Sequence, residues 1–281
     1  MREKETHDII FKHKIVFIYY MTDPRQITIQ VFSDLHLNLL NSKDTIPPIM
    51  PEAKYLFLAG NICTLNHSLF FPFLDHCSRS WEKTFIVPGN QEFYSYKKNH
   101  GTLDFEYNLK IGERYKNIFY LNNGKATLND VIDVYGTTLW SKPRISRYEA
   151  KYFTDFFSIQ QFSEKKKLNI PIDYHFIQNL SNKDSDFLAE SIRKNKNKKL
   201  IVLTHFPPTQ EGTINPSTTL YEDFGNLLDR VDLRNVPLWI SGHTHWSYNI
   251  ELPSTRLVSN QLGFVSEKTG YSKNGLFVID Y

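Results

Sequence analysis

Short apolar runs, each followed by a polar or glycine-containing loop, recur along the chain. They cover residues 27–32, 55–59, 84–87, 199–203 and 236–240. β-Branched and aromatic residues are common in these runs, so each run predicts a buried β-strand. Apolar residues at three- and four-residue steps predict amphipathic helices over about 69–81 and 103–115. This alternation of strand and helix predicts an α/β protein with a mainly parallel sheet.

Later segments predict a second sheet. Residues 118–121, 125–128 and 131–138 form short apolar runs, and Asn122–Gly124 predicts a hairpin turn. These short strands indicate a more antiparallel sheet packed on the first. Further on, Ser181 followed by Asp184 predicts a helix N-terminus. Closing strands are expected over the apolar segments at 256–259 and 276–279.

The chain carries no internal repeat and no low-complexity linker, so we expect one domain over residues 23–281, preceded by an N-terminal appendage at 1–22. Residues 141–180 break the strand–helix rhythm and are rich in aromatic residues. Such a segment in a compact domain is often a lid or pocket wall. A peripheral helix pair with the solvated lysines Lys165–Lys167 explains the segment equally well.

Composition narrows the classes of function. With 281 residues, 41% of them hydrophobic, the chain can bury a large core. A net charge of +3 gives no basic stripe, so nucleic acid binding is not indicated. No apolar run approaches the roughly 20 residues of a membrane span. Two cysteines, Cys63 and Cys77, form no metal or redox motif, which is typical of a reducing compartment, and we expect a cytoplasmic location.

Polar residues that can bind metals follow each of the five predicted strands. Taken singly, each is weak, because His243 and His245 could be polar loop residues and Asp34 could be a turn residue beside a surface histidine. The carboxyl ends of strands in one sheet meet at one edge, however, and five such loops in one chain predict a metal site there. The candidate metal ligands are Asp34, His36, Asn61, Asn90, His205, His243 and His245.

The order of these motifs resembles that of the calcineurin-like metallophosphoesterase family, whose motifs are Asp-x-His, Gly-Asp, Gly-Asn-His-Glu, Thr-His and Gly-His-x-His. The matching segments here are Asp34–His36, Gly60–Asn61, Gly89–Glu92, Thr204–His205 and Gly242–His245. Two further segments, Gly136–Trp140 and Asn260–Phe264, are similar to segments of a bacterial-type branch of that family. The resemblance implies a four-layer α/β/β/α sandwich in which two mixed sheets are flanked by helices.

The resemblance also implies a metal-dependent hydrolase that acts on a phosphate mono- or diester, most simply a phosphorylated small molecule. Two divalent ions, Mn, Fe or Zn, would lie at the strand ends, because mixed histidine, carboxylate and amide ligands suit these metals. By motif matching, Asp34, His36 and His245 would hold the first ion. Asn90, His205 and His243 would hold the second, and position 61 would bridge the two.

This sequence departs from the family pattern at Asn61, where the family has a bridging Asp, and at Gln91, where it has a catalytic His. An amide is a poor bridge between two cations, so we expect weaker binding of at least one ion. Gln91 can donate a hydrogen bond but cannot deliver a proton at neutral pH. We therefore expect a phosphoesterase of reduced activity. The alternative is a catalytically degenerate member that serves as a scaffold for a protein partner.

Overall fold

The computed structural model describes residues 25–39, 49–94, 107–144, 153–217 and 222–281. The expected appendage at 1–22 lies outside these ranges. The strands are β1 (Gln26–Phe32), β2 (Tyr55–Leu58), β3 (Lys83–Ile86), β4 (Ile118–Tyr120), β5 (Gly124–Thr127), β6 (Ile132–Thr137), β7 (Lys142–Pro143), β8 (Gln160–Ser163), β9 (Leu168–Pro171), β10 (Lys199–Thr204), β11 (Glu222–Asp223), β12 (Leu238–Ile240), β13 (Tyr248–Glu251), β14 (Arg256–Ser259) and β15 (Leu276–Asp280). The helices are α1 (Phe70–Ser80), α2 (Tyr107–Arg114), α3 (Thr154–Ser158), α4 (Tyr174–Lys194) and α5 (Leu227–Arg230).

Two large mixed sheets form the centre of the fold. The first has the strand order β15-β1-β2-β3-β4, and the second has the order β13-β14-β12-β10-β6-β5. Strands β1 to β4 pair in parallel, as do β6, β10, β12 and β14. In these two sheets, antiparallel pairing occurs only where an edge strand is added: β15 on β1, β13 on β14 and β5 on β6. The carboxyl ends of the central strands therefore lie along one edge of each sheet.

Alternation along the strands produces four layers. In β1, Ile29 and Val31 lie in the apolar cluster between the two sheets, whereas Phe32 packs with the buried side chains of α1 on the outer face. In β10, Ile201 belongs to the same inter-sheet cluster, and Val202 packs on the far side against α4 and α5. A period of two sends successive side chains to opposite faces. The α/β/β/α sandwich follows from this pattern.

The predicted hairpin at Asn122–Gly124 is wrong. Strand β4 pairs with β3 in the first sheet, and β5 pairs with β6 in the second, so this turn carries the chain from one sheet to the other. The hairpin connects β5 to β6 instead. Turn residues such as Asn-Asn-Gly mark a change of direction, but they do not specify which strands pair afterwards.

The helix predicted to begin at Ser181 begins earlier. Helix α4 starts at Tyr174, and the Asp173 side chain caps it by accepting the Phe176 N–H at 2.8 Å. Ser181 lies buried within this helix. Asp184 faces inward and accepts the backbone N–H of Leu139 at 2.9 Å. Its polar side chain therefore serves a tertiary contact, and the resemblance to a capping sequence was misleading.

Of the aromatic segment at 141–180, residues 142–143 form β7, and residues 153–180 contain α3, a hairpin of β8 and β9, and the first turns of α4. Lys165–Lys167 are exposed on the turn of that hairpin. The lid assignment stays a prediction. Cys63 and Cys77 are both buried free thiols. None of the described helices combines the length and apolar character that a bilayer crossing requires.

Candidate metal centre

The seven candidate ligands lie directly after the carboxyl ends of five strands. Asp34 and His36 follow β1, Asn61 follows β2, and Asn90 follows β3, all in the first sheet. The second sheet supplies His205 after β10, and His243 and His245 after β12.

Five of these residues adopt left-handed backbone conformations. Their φ angles are 53° for Asp34, 47° for His36, 52° for Asn61, 73° for His243 and 50° for His245. Non-glycine residues rarely take positive φ, and the cost is tolerated mainly where function demands a particular side-chain direction. The sharp turns at the strand ends therefore direct these side chains into the centre.

We call Asp34, His36 and His245 the first half-site. The His36 Nε2 and His245 Nε2 atoms lie 3.0 Å apart, and the Asp34 Oδ1 atom is 3.6 Å from His245 Nε2 and 4.0 Å from His36 Nε2. Asp34 is fully buried, and its Oδ1 has no hydrogen-bond partner among the described residues. The ligand atoms of these three residues could hold one metal ion.

Hydrogen bonds at the Nδ1 atoms of His36 and His245 determine which ring nitrogens carry lone pairs in the first half-site. His36 Nδ1 lies 3.1 Å from Gln91 Oε1, and His245 Nδ1 lies 2.5 Å from Glu267 Oε2. Both Nδ1 atoms face acceptors and therefore carry hydrogen. In neutral imidazoles, both Nε2 atoms then present lone pairs to each other and to Asp34. Only a cation or a proton between them relieves this repulsion, so these residues fit a divalent metal ion.

We call Asn90, His205 and His243 the second half-site. His205 Nδ1 donates to the backbone oxygen of Ala59 at 2.8 Å, which leaves a lone pair on Nε2, 3.2 Å from Asn90 Oδ1. His243 Nε2 lies 2.8 Å from Glu222 Oε2, and its buried Nδ1 has no hydrogen-bond partner in the described parts of the chain. Acceptor atoms again face one another, so the second half-site also fits a cation.

Burial and neighbouring charges shift the pKa values of these groups, and the balance between the two differs from group to group. Burial lowers the pKa of His205 to about 3, and burial also lowers the pKa of His36. Both imidazoles are therefore neutral near pH 7 and keep their lone pairs. Burial acts to raise the pKa of Asp34, but the close His245 imidazole and the other nearby histidines hold it well below its usual range. Asp34 is therefore a carboxylate. Burial acts to lower the pKa of His243, but Glu222 and other nearby carboxylates raise it.

Asn61 does not present its oxygen as a bridge. Its Oδ1 accepts the backbone N–H of Gln91 at 3.0 Å. The other end of the amide is an NH₂ group, which donates hydrogen bonds and has no lone pair for a metal. A carboxylate at this position could accept the same N–H and still offer a second oxygen. The amide has a single acceptor oxygen for both roles, which makes it the poorer bridge.

Gln91 and Glu92 both make contacts within the protein. The Gln91 oxygen accepts from His36 and orients that ring. Glu92 is 2% exposed, and its oxygens accept the backbone N–H groups of Asn61, Ile62 and Gly89 at 2.6–2.9 Å, with Cys63 at 3.3 Å. Glu92 therefore ties two ligand loops together. Burial raises the pKa of Glu92 to about 7, although these hydrogen bonds lower it.

Two glycines allow the loops to approach this closely. A Cβ on Gly242 would lie 2.8 Å from Asp34 Oδ2, and a Cβ on Gly89 would lie 2.7 Å from the Asn61 backbone nitrogen. Both distances are shorter than a side-chain carbon can tolerate. Only glycine fits at these positions, which is why each glycine precedes a ligand.

The structure adds acidic residues that motif spacing did not reveal. Glu222 and Glu267 bind the outer nitrogens of His243 and His245, and Asp155 Oδ1 accepts from the Asn90 amide nitrogen at 2.9 Å. Each comes from a segment far from the motif that it supports. No local pattern marks these acids, so only the tertiary structure identifies them.

Comparison with known proteins assigns the class. A model of the calcineurin-like phosphoesterase family matches residues 27–247. The chain belongs to this family and is a hydrolase of the metallophosphoesterase class. The match confirms the predicted resemblance, and the layered sheets confirm the predicted fold. The bacterial-type branch stays a prediction.

The chain is also similar to several individual proteins. An uncharacterized protein of Acanthamoeba polyphaga mimivirus is 29% identical over 271 residues, which cover 88% of this chain and 95% of that protein. The structure of a phosphopantetheinyl hydrolase from Mycobacterium tuberculosis shares the fold, with a TM-score of 0.59 and 15% identity over 85% of this chain and 90% of that one. A dimetal phosphatase from Danio rerio matches with a TM-score of 0.46 and 14% identity over 92% of this chain and 100% of that one.

Proposed function

We propose that this phosphoesterase hydrolyses a phosphate mono- or diester of a small molecule at a centre for two divalent cations, with turnover reduced by Asn61 and Gln91. The observation that carries the proposal is that acceptor atoms of the candidate ligands face one another with no hydrogen-bond donor between them. His36 Nε2 and His245 Nε2 face each other at 3.0 Å, and His205 Nε2 faces Asn90 Oδ1 at 3.2 Å. A degenerate scaffold has no need to keep two such sets of acceptors.

The two half-sites fit Mn, Fe or Zn because their ligands are mainly imidazoles with one carboxylate and one amide oxygen. Divalent cations at such a centre supply Lewis-acid stabilisation of phosphoryl oxygens and a water of lowered pKa. The protein's own part is to hold the Nε2 atoms of these imidazoles inward. Gln91 and Glu267 do this for the first half-site, and the Ala59 carbonyl does it for His205.

Gln91 limits the leaving groups that the centre can use. A general acid contributes roughly 10²–10⁴-fold to rate when the departing oxygen needs a proton. Gln91 has no acidic proton at neutral pH, and its oxygen is already paired with His36. Glu92 is turned toward backbone N–H groups and does not replace it. We therefore expect esters with acidic, aryl-type alcohols to be better substrates than alkyl esters.

An apolar edge beside the first half-site suits such substrates. The Phe264 ring stacks on His36 with centroids 4.7 Å apart, contacts His245 edge-on at 4.7 Å, and is 42% exposed. The neighbouring Val265 is also fully exposed. An aromatic leaving group can pack on this surface while its phosphate faces the ligands.

The test measures Mn²⁺ binding by calorimetry and hydrolysis of phenyl and 4-nitrophenyl phosphates, both as monoesters and as diesters. We expect the wild type to bind Mn²⁺, to favour the nitrophenyl esters, and to lose activity in His243→Ala. In Gln91→His, the phenyl esters should gain about 10²-fold or more, and the nitrophenyl esters should gain less.

One pattern of results favours the scaffold. If the wild type binds no Mn²⁺ and hydrolyses none of these esters, while Asn61→Asp combined with Gln91→His creates activity, the proposal is wrong. A protein partner would then be the expected ligand.

A further inference from the structure

Two carboxylates outside the strand-end motifs contact the second half-site. Asp155 lies on α3, in the aromatic segment, and Glu222 lies on β11, which pairs with β7 outside both large sheets. Asp155 Oδ1 accepts from Asn90 Nδ2 at 2.9 Å, and Glu222 Oε2 is 2.8 Å from His243 Nε2. Each acid therefore binds the outer end of one candidate ligand.

We infer that Asp155 and Glu222 are positioning residues for a second cation: they fix the ligand orientation of Asn90 and His243 and return to the centre the negative charge that Asn61 lacks. This inference rests on the proposed two-cation function.

Asp155 determines which end of the Asn90 amide faces the centre. The Tyr94 hydroxyl donates to Asp155 Oδ1 at 2.5 Å, and its oxygen lies 3.2 Å from Asn90 Nδ2. The amide nitrogen thus has two acceptors on its outer side. Turning the amide over would set its oxygen against the Asp155 carboxylate. The arrangement keeps Asn90 Oδ1 toward His205 Nε2, as a metal ligand requires.

Glu222 determines the tautomer of His243. Its Oε2 accepts from His243 Nε2, while its Oε1 accepts from the Ser141 hydroxyl at 3.0 Å. With hydrogen on Nε2, the lone pair is on the buried Nδ1. A carboxylate on the outer nitrogen is a common way to orient a metal-binding histidine and to increase its basicity. Glu222 thus makes His243 a ligand through Nδ1.

The second half-site has no carboxylate among its candidate ligands. Among the seven candidate ligands, only Asp34 is a carboxylate, and it belongs to the first half-site. The second half-site offers two imidazoles and an amide, and no carboxylate. Coulombic attraction falls with the inverse of distance, so carboxylates one side chain away still attract a cation, although more weakly than a direct ligand. Asp155 and Glu222 are placed to supply this attraction.

The experiment titrates the full-length chain with Mn²⁺ by calorimetry and follows Mn–Mn coupling by electron paramagnetic resonance. The variants are Asp155→Asn, Glu222→Gln and the double substitution, and the matched control is the exposed Glu164→Gln. We expect two Mn²⁺ in wild type and control. Each single variant should weaken the second ion 10–100-fold, the usual effect of removing such a partner, and leave the first ion unchanged.

Rescue separates this role from a merely structural one. Asn61→Asp, added to the Asp155→Asn and Glu222→Gln double variant, should recover the second ion's affinity at least tenfold, because it returns a carboxylate to the centre. Circular dichroism without Mn²⁺ checks the fold of each variant. If Asp155→Asn does not fold, Tyr94→Phe tests the same arrangement and should weaken the second ion by a smaller factor.

Two results overturn the inference, and they are distinguishable. If the wild type binds two Mn²⁺ and folded acid variants bind both with unchanged affinity, Asp155 and Glu222 have no positioning role, and the proposed function stands. If the wild type binds a single Mn²⁺ and His205→Ala leaves that ion unaffected, the two-cation proposal fails together with the inference.

Discussion

The two half-sites contain similar imidazoles but keep their negative charge in different places. In the first, the fully buried Asp34 carboxylate lies among the candidate ligand atoms. In the second, the carboxylates of Asp155 and Glu222 lie behind Asn90 and His243. A direct carboxylate contributes both a bond and a charge. A carboxylate behind a neutral ligand contributes orientation and a weaker long-range attraction.

This difference shows that a short motif does not define equivalent histidines. His243 and His245 are two residues apart, yet each outer nitrogen meets a different glutamate, Glu222 in one case and Glu267 in the other. His243 is left with Nδ1 for a metal, and His245 is left with Nε2. The two rings are therefore assigned to different half-sites by residues well outside the motif.

The largest expected effect comes from Glu92, which joins the loops that carry Asn61 and Asn90. Glu92→Ala removes the acceptor of four backbone N–H groups around Asn61 and Gly89, and breaking such a buried charged network costs about 3–5 kcal/mol. Urea denaturation without metal should show this loss, with exposed Glu113→Ala as the matched control. If stability falls by less than about 1 kcal/mol, Glu92 does not tie the two loops together.

A change confined to the first half-site should affect chemistry more than folding. Asp34→Asn removes the only carboxylate among the ligand atoms and should reduce Mn²⁺-dependent hydrolysis of an aryl phosphate about 10²–10³-fold, the range for losing one electrostatic group. Exposed Asp229→Asn should leave the rate unchanged. An Asp34→Asn protein that keeps full activity would contradict the assigned charge asymmetry.

The smallest effect should come from the glutamate behind the first half-site. Glu267→Gln weakens the hold on His245, and we expect the first ion to bind about tenfold more weakly in calorimetry. Because Asp34 stays in place, this loss should be smaller than that of Glu222→Gln at the second ion. Equal losses at the two ions would mean that the location of the charge has no influence.

Much of the fold was predictable because alternation and strand-end chemistry are local. The apolar runs located the central strands, and the glycines beside Asn61, Asn90 and His243 marked the tight turns. The order of the motifs then indicated the family. These signals lie within a few residues of one another, so the sequence displays them directly.

Long-range contacts account for what the sequence did not reveal. Asn122–Gly124 was assigned to a hairpin because its residue types favour a turn, yet the partner of β5 is determined by packing between sheets. Asp184 resembled a helix cap but binds a loop more than forty residues away. Asp155 and Glu222 contact ligands 65 and 21 residues distant.

The origin of the ligands in both sheets has a mechanical consequence. Each half-site joins loops from β1 or β3 on one sheet to loops from β10 or β12 on the other. A bound ion would join the two sheets at their edge. The apolar cluster between the sheets would then determine the distance between the loops that the ion joins. A substitution that creates a cavity at Val31 or Ile201, within that cluster, would therefore change the metal affinity at the sheet edge.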